Sequence, residues 1–139
     1  MSNARLLART LCLCVITSVA LSVHAARADS SAASATISKY DTDSDKTLDL
    51  AEVKAAASAR FAALDKDGDG TLDSKELRGV FGPTTFKKAD TDHDGTLSKD
   101  EYLALVDKLF EAADRDHDGT LDAKELGAKT SQTLRRLIG

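Results

Sequence analysis

Sulfur is almost absent from this chain: its 139 residues hold two cysteines and one methionine, and all three, Met1, Cys12 and Cys14, stand near the start. That start reads as a secretory leader over residues 1–28, with Arg5 and Arg9 charging its beginning, an apolar run from Leu11 to Val23 and small residues beyond. The run is too short to span a bilayer comfortably. Cleavage fits after Ala25 or after Ala28, and Ala28 is preferred because it leaves a polar start at Asp29. Without the leader no cysteine remains, which excludes disulfides and thiolate chemistry. Loss of the single methionine excludes the adaptable methionine-rich surface of a promiscuous partner binder, leaving room only for a specific protein partner. Positive charge is scarce too, with 19 Lys and Arg against 23 Asp and Glu. The leader carries Arg5, Arg9 and Arg27 and no acid, so its removal takes the net charge from −4 to −7. The lysines alternate with acids and form no basic stripe, so nucleic acid is not an expected partner. No Ser-His-acid arrangement stands out and the carboxylates are committed elsewhere, so no enzymatic activity is expected.

The acids fall into a repeat. Four twelve-residue stretches begin at Asp41, Asp65, Asp90 and Asp114, spaced by 24, 25 and 24 residues. A calcium-type ion takes six to eight oxygens, and a flexible loop can offer them from positions 1, 3, 5, 7, 9 and 12. In the second stretch these are Asp65, Asp67, Asp69, the Thr71 carbonyl, Asp73 and Glu76, with Gly70 at position 6 to allow positive φ. The fourth repeats the set with Asp114, Asp116, Asp118, Thr120, Asp122 and Glu125 around Gly119. The third has Asp90, Asp92, Asp94, Thr96, Ser98 and Glu101 around Gly95, its serine leaving a water to complete the shell. The first keeps Asp41, Asp43, Asp45, Thr47, Asp49 and Glu52 but puts Lys46 where glycine belongs, which makes it the weakest expected site. Ligand positions take 19 of the 23 acids, too many for a merely solvated face, and without an ion their repulsion should loosen the chain. His93 and His117 hold position 4, where side chains face solvent, and read as surface residues rather than soft-metal ligands.

Apolar positions repeat with the ligands: Ile37, Phe61, Phe86 and Phe110 stand four residues before the loops, and Leu48, Leu72, Leu97 and Leu121 at position 8. Val53, Leu77, Tyr102 and Leu126 follow directly after them, completing helix-loop-helix units. Only twelve or thirteen residues separate consecutive loops, about half the usual spacing of an EF-hand pair, so one helix must serve two loops. Loops joined by such a helix lie roughly 18 Å apart at 1.5 Å per residue and cannot pair with each other. The one interruption is Gly82-Pro83, where the chain can turn. This predicts an all-α, compact three-helix-type bundle over residues 37–139: antiparallel helices Asp49–Leu64 and Ser98–Ala113, loops two and three paired at one end, loops one and four at the other, and a closing helix over 123–137. Residues 29–36, rich in Ser and Ala, are expected to form a flexible, frayed segment.

Four EF-hand loops at this short spacing behind a leader resemble the lanmodulin family of periplasmic proteins, over essentially the whole mature chain. The resemblance includes Asp69-Gly70-Thr71-Leu72-Asp73 with Lys75-Glu76-Leu77, and Lys99-Asp100-Glu101-Tyr102-Leu103 with Phe110 beyond. It implies a three-helix bundle with loops at its ends, a periplasmic or secreted location, ordering on metal binding, and preference for trivalent lanthanides over calcium at up to four sites per chain. This chain departs from the family at loop position 2, where Thr42, Lys66, Thr91 and Arg115 replace the proline of its best-known members. Five carboxylates in loops one, two and four exceed what a divalent ion neutralises, which favours the trivalent ion, while Lys46, Lys66 and Arg115 offset part of that field. The alternative is a calcium buffer or sensor, or a calcium-dependent interaction module. Oligomeric state is not legible.

Overall fold

The computed structural model describes the backbone of residues 20–139 and the side chains of residues 30–139, so most of the leader read over residues 1–28 lies outside the described residues. Its helices are α1 (Ala20–Tyr40), α2 (Leu50–Leu64), α3 (Pro83–Ala89), α4 (Lys99–Ala113), α5 (Ala123–Leu126) and α6 (Gln132–Ile138), with a 3₁₀ turn at Lys129–Ser131. Four two-residue strands lie within the loops: β1 (Leu48–Asp49), β2 (Thr71–Leu72), β3 (Leu97–Ser98) and β4 (Thr120–Leu121).

Helices α2 and α4 are the frame. Each starts on a capping box, Asp49 with Glu52 and Ser98 with Glu101, and each ends where the next loop's first aspartate, Asp65 or Asp114, takes an extended conformation. An oxygen at the N-cap satisfies an otherwise orphaned N–H and is worth about 1 kcal/mol. Strand β1 pairs antiparallel with β4, setting Leu48 opposite Leu121, and β2 pairs antiparallel with β3, setting Leu72 opposite Leu97. Loops one and four therefore share one end and loops two and three the other, as the spacing predicts, and α2 must run antiparallel to α4. Lys54 and Asp107 bridge the two helices at 2.8 Å.

All four position-8 leucines are fully buried, with Val53, Tyr102 and Val106 between the two ends. Burial of each leucine contributes about 1.5–3 kcal/mol, so each strand pair is anchored more by its side chains than by its few ladder bonds. The Phe61 and Tyr102 rings meet edge to face at 5.5 Å. Tyr102 also donates its hydroxyl to the Leu137 carbonyl at 2.8 Å, tying α4 to α6.

Three segments differ from the expectation. The closing helix over 123–137 is broken: α5 stops at Gly127, the 3₁₀ turn intervenes, and α6 resumes at Gln132. Gly127 is a poor helix former, and the Glu125 carbonyl accepts the Ala128 N–H and the buried Ser131 hydroxyl in place of the bond that a continuous helix would supply. The break lets Leu126, Leu134, Leu137 and Ile138 all reach the core. Residues 29–36 are helical within α1; Ala33 is fully buried, and the Ser34 and Thr36 hydroxyls bond back to the Ser30 and Ala32 carbonyls. After loop two, residues 74–80 form successive turns rather than a full helix, and α3 starts with Pro83 in its first turn.

Candidate metal centre

Each loop is held open by bonds from its own backbone to its own acids. The position-1 aspartate accepts the position-6 N–H in all four: Lys46 to Asp41 at 3.0 Å, Gly70 to Asp65 at 3.1 Å, Gly95 to Asp90 at 3.2 Å and Gly119 to Asp114 at 3.1 Å. Position 6 turns through positive φ each time, at 85° for Gly70, 89° for Gly95 and Gly119, and 70° for Lys46, which bears the strain expected of a side chain there. The position-5 aspartate accepts the N–H and hydroxyl of the position-7 threonine: Thr47 on Asp45, Thr71 on Asp69, Thr96 on Asp94 and Thr120 on Asp118. These bonds aim the carboxylates before any ion arrives.

The result is four tight acid groups. In loops one, three and four they are Asp41, Asp43 and Asp45; Asp90, Asp92 and Asp94; and Asp114, Asp116 and Asp118; in loop two, Asp65, Asp67 and Glu76. Ligand atoms within each group lie inside 4.8 Å of one another. Of the expected carboxylate ligands, Asp69, the position-9 residues Asp49, Asp73 and Asp122, and the position-12 residues Glu52, Glu101 and Glu125 fall outside these groups. The position-9 side chains face their position-12 N–H: Asp49 accepts from Glu52, Asp73 from Glu76, Ser98 from Glu101 and Asp122 from Glu125. The position-12 glutamate closes each loop from the far side by accepting the position-2 N–H, from Thr42 to Glu52, Lys66 to Glu76, Thr91 to Glu101 and Arg115 to Glu125, at 2.6 to 2.8 Å. Thr42 and Thr91 add their hydroxyls. A proline at position 2 has no N–H and could not make this bond.

The charges feel one another. At Asp43 the Asp45 N–H pulls the pKa down, but partial desolvation and the Asp45 and Glu52 charges outweigh it and leave the group raised. Asp67 is raised in the same way against the Asp69 N–H, by desolvation and the charges of Asp69, Glu76 and Asp65. Asp45 is lowered by the Thr47 hydroxyl and then its N–H. Glu101 is held down at about 2, first by the Thr91 N–H and then, against desolvation, by the Thr91 hydroxyl and the Ser98 donors.

Loops three and four differ from the others at one atom. In loops one and two the position-4 N–H of Ser44 or Gly68 donates to Oδ1 of Asp41 or Asp65, at 2.6 and 2.7 Å. The corresponding Oδ1 atoms of Asp90 and Asp114 are buried and have no hydrogen-bond partner among the described residues. A buried carboxylate oxygen without a donor is costly, and a cation in the loop would satisfy it, so the donor set fits a hard, oxygen-preferring ion.

Residues 58–81, 84–106 and 105–128 each match the EF-hand family model. These are EF-hand repeats. The three matches take in loops two, three and four, while the first EF-hand-like loop, with Lys46 at position 6, lies outside them. No curated protein matches the chain. EF-hand repeats with acidic clusters of this kind are metal-binding units of the calcium type. Among the described residues, no helix is long and apolar enough to cross a membrane.

Two features of the EF-hands escaped the sequence reading. Positions 9 and 12 double as capping boxes for α2, α4 and α5, a signal present in the Asp-x-x-Glu and Ser-x-x-Glu strings. Position 4 is left-handed even where it is not glycine, at Ser44, His93 and His117. His93 and His117 are exposed and belong to none of the acid groups.

Proposed function

We propose that this protein is a periplasmic or secreted metal-ion-binding protein whose bundle orders around hard cations, with trivalent lanthanides taken ahead of calcium and up to four ions per chain. The ligands are the residues at positions 1, 3, 5, 7, 9 and 12 of the loops, and the protein is not an enzyme. The observation that carries the reading is the crowding of ionised carboxylates, with Asp43 and Asp67 pushed up by their neighbours and Asp90 and Asp114 each keeping a buried oxygen without a donor. Repulsion of that kind opposes folding until a cation neutralises it, and a triply charged ion neutralises more of it than a doubly charged one of similar radius. The ligands and the caps are the same residues, so an ion that fixes Glu52, Glu101 or Glu125 also fixes a helix start.

The EF-hand match favours a second reading, a calcium buffer or sensor, since calcium is the ordinary cargo of such loops. Equilibrium dialysis of calcium-loaded protein against one lanthanide equivalent per loop separates the two. The lanthanide reading expects calcium to leave and lanthanide to stay; retention of calcium against the lanthanide supports the buffer.

A further inference from the structure

The chain is acidic, yet one cavity in it is basic. An open cavity of about 700 Å³ lies between α2, the turns after loop two and α6. Arg60, Lys66, Lys75, Arg78, Arg135 and Arg136 line it, and among the described residues Glu76 is the one acidic side chain of the lining. Six of the chain's 19 basic residues thus converge on one opening, from segments far apart in sequence, where composition alone gives acids the majority.

Four of these cations stand outside the salt bridges of the fold. Arg60, Lys66, Arg78 and Arg136 make no salt bridge among the described residues, and Lys75 reaches only the edge of one, 4.0 Å from Asp73. The Nε of Arg60 is buried with no hydrogen-bond partner among the described residues. An oxyanion entering the opening would take charge-assisted bonds from guanidinium groups that have no carboxylate partner in a salt bridge. Leu64 and Val80 supply apolar wall, so the cavity combines an apolar floor with converging donors.

We propose that this cavity binds a small organic oxyanion carrying two or more negative charges, a phosphate monoester or a polycarboxylate. Its volume suits a metabolite-sized molecule rather than a bare inorganic ion. Planar guanidinium groups suit both carboxylate and phosphate oxygens, which is the chemistry the two ligand types share. Macromolecular polyanions are disfavoured because the chain as a whole carries a net charge of −4, which repels a long anionic chain. Lys66, Lys75 and Glu76 belong to loop two, so the anion would lie beside one of the EF-hand loops, with the Glu76 ligand carboxylate on the cavity wall.

The test is isothermal titration of the calcium-loaded, full chain with glucose 6-phosphate in one arm and succinate in the other, in chloride buffer. Saturable binding in either arm, weakened about tenfold or more in an Arg60→Gln, Arg136→Gln double variant, is the expected result, the size following from loss of two charge-assisted contacts. The stronger arm identifies the oxyanion class. Arg78→Gln, on the exposed turn, provides an independent variant should the double variant lose its circular dichroism spectrum, and Lys87→Gln, exposed on α3 and outside the cavity, should bind like the parent. No saturable binding in either arm, or equal weakening by Lys87→Gln, overturns the proposal.

Discussion

Lys46→Gly isolates what the first loop lost. Lys46 sits at φ 70°, where a side chain costs about 1–2 kcal/mol, while glycine pays about 0.4–1 kcal/mol of extra unfolded-state entropy. The backbone bond that matters is unaffected, because the position-6 N–H reaches Asp41 at 3.0 Å much as Gly70 reaches Asp65 at 3.1 Å. Metal-free stability should therefore rise by about 0.5–1 kcal/mol, the difference of those two terms. Metal affinity should rise for a separate reason. A single positive charge on the order of 8 Å from a divalent ion in high dielectric costs about 1 kcal/mol, which is roughly fivefold in the dissociation constant of loop one. Loops two, three and four should not change. Urea unfolding of metal-free protein reads the first effect, and a calcium titration followed by NMR, using the position-6 amide of each loop as a reporter, reads the second. An unchanged or weaker first site in K46G would refute the charge argument, and unchanged or lower metal-free stability would refute the strain argument.

Other perturbations test the rest of the account. Tyr102→Phe removes the donor to the Leu137 carbonyl within the core and should cost about 1–3 kcal/mol in denaturant unfolding, with no change in ligand geometry. Ser131→Ala leaves the Glu125 carbonyl only its bond from the Ala128 N–H and should cost about 0.5–1.5 kcal/mol, while weakening loop four more than loop one in site-resolved titration. Glu101 has its folded pKa depressed to about 2 from 4.5, so its contribution to metal-free stability is present above about 4.5 and is lost as pH falls towards 2. Thr91→Val keeps the N–H donor but deletes the hydroxyl; the Glu101 pKa should rise in an NMR titration, and the acid loss of stability should become shallower.

The bundle was legible because its rules are local and repeated. Ligand spacing marks the loops, position-8 leucines mark the strand pairs, and the shortness of the linking segments forces loop one onto loop four and loop two onto loop three. Helices α2 and α4 begin one residue inside the expected spans, because Asp49 and Ser98 are caps rather than first helical residues. The break after α5 was not legible, since Gly127 alone does not end a helix and the decisive bond joins the Ser131 hydroxyl to a carbonyl six residues back. Residues 29–36 look like a polar tail by composition, and only the packing of Ala33 shows why they stay helical. The basic cavity was illegible for a different reason: each arginine and lysine sits among acids in sequence, and only the folded chain brings Arg60, Arg78 and Arg136 together.

The central claim is that ion charge decides whether the bundle orders. Circular dichroism of metal-free protein titrated with a trivalent lanthanide, in the presence of millimolar calcium, tests it most directly. The account predicts a gain of helix complete at no more than four equivalents of lanthanide, beyond whatever calcium alone produces. Full ordering by millimolar calcium that the lanthanide neither increases nor displaces would contradict it.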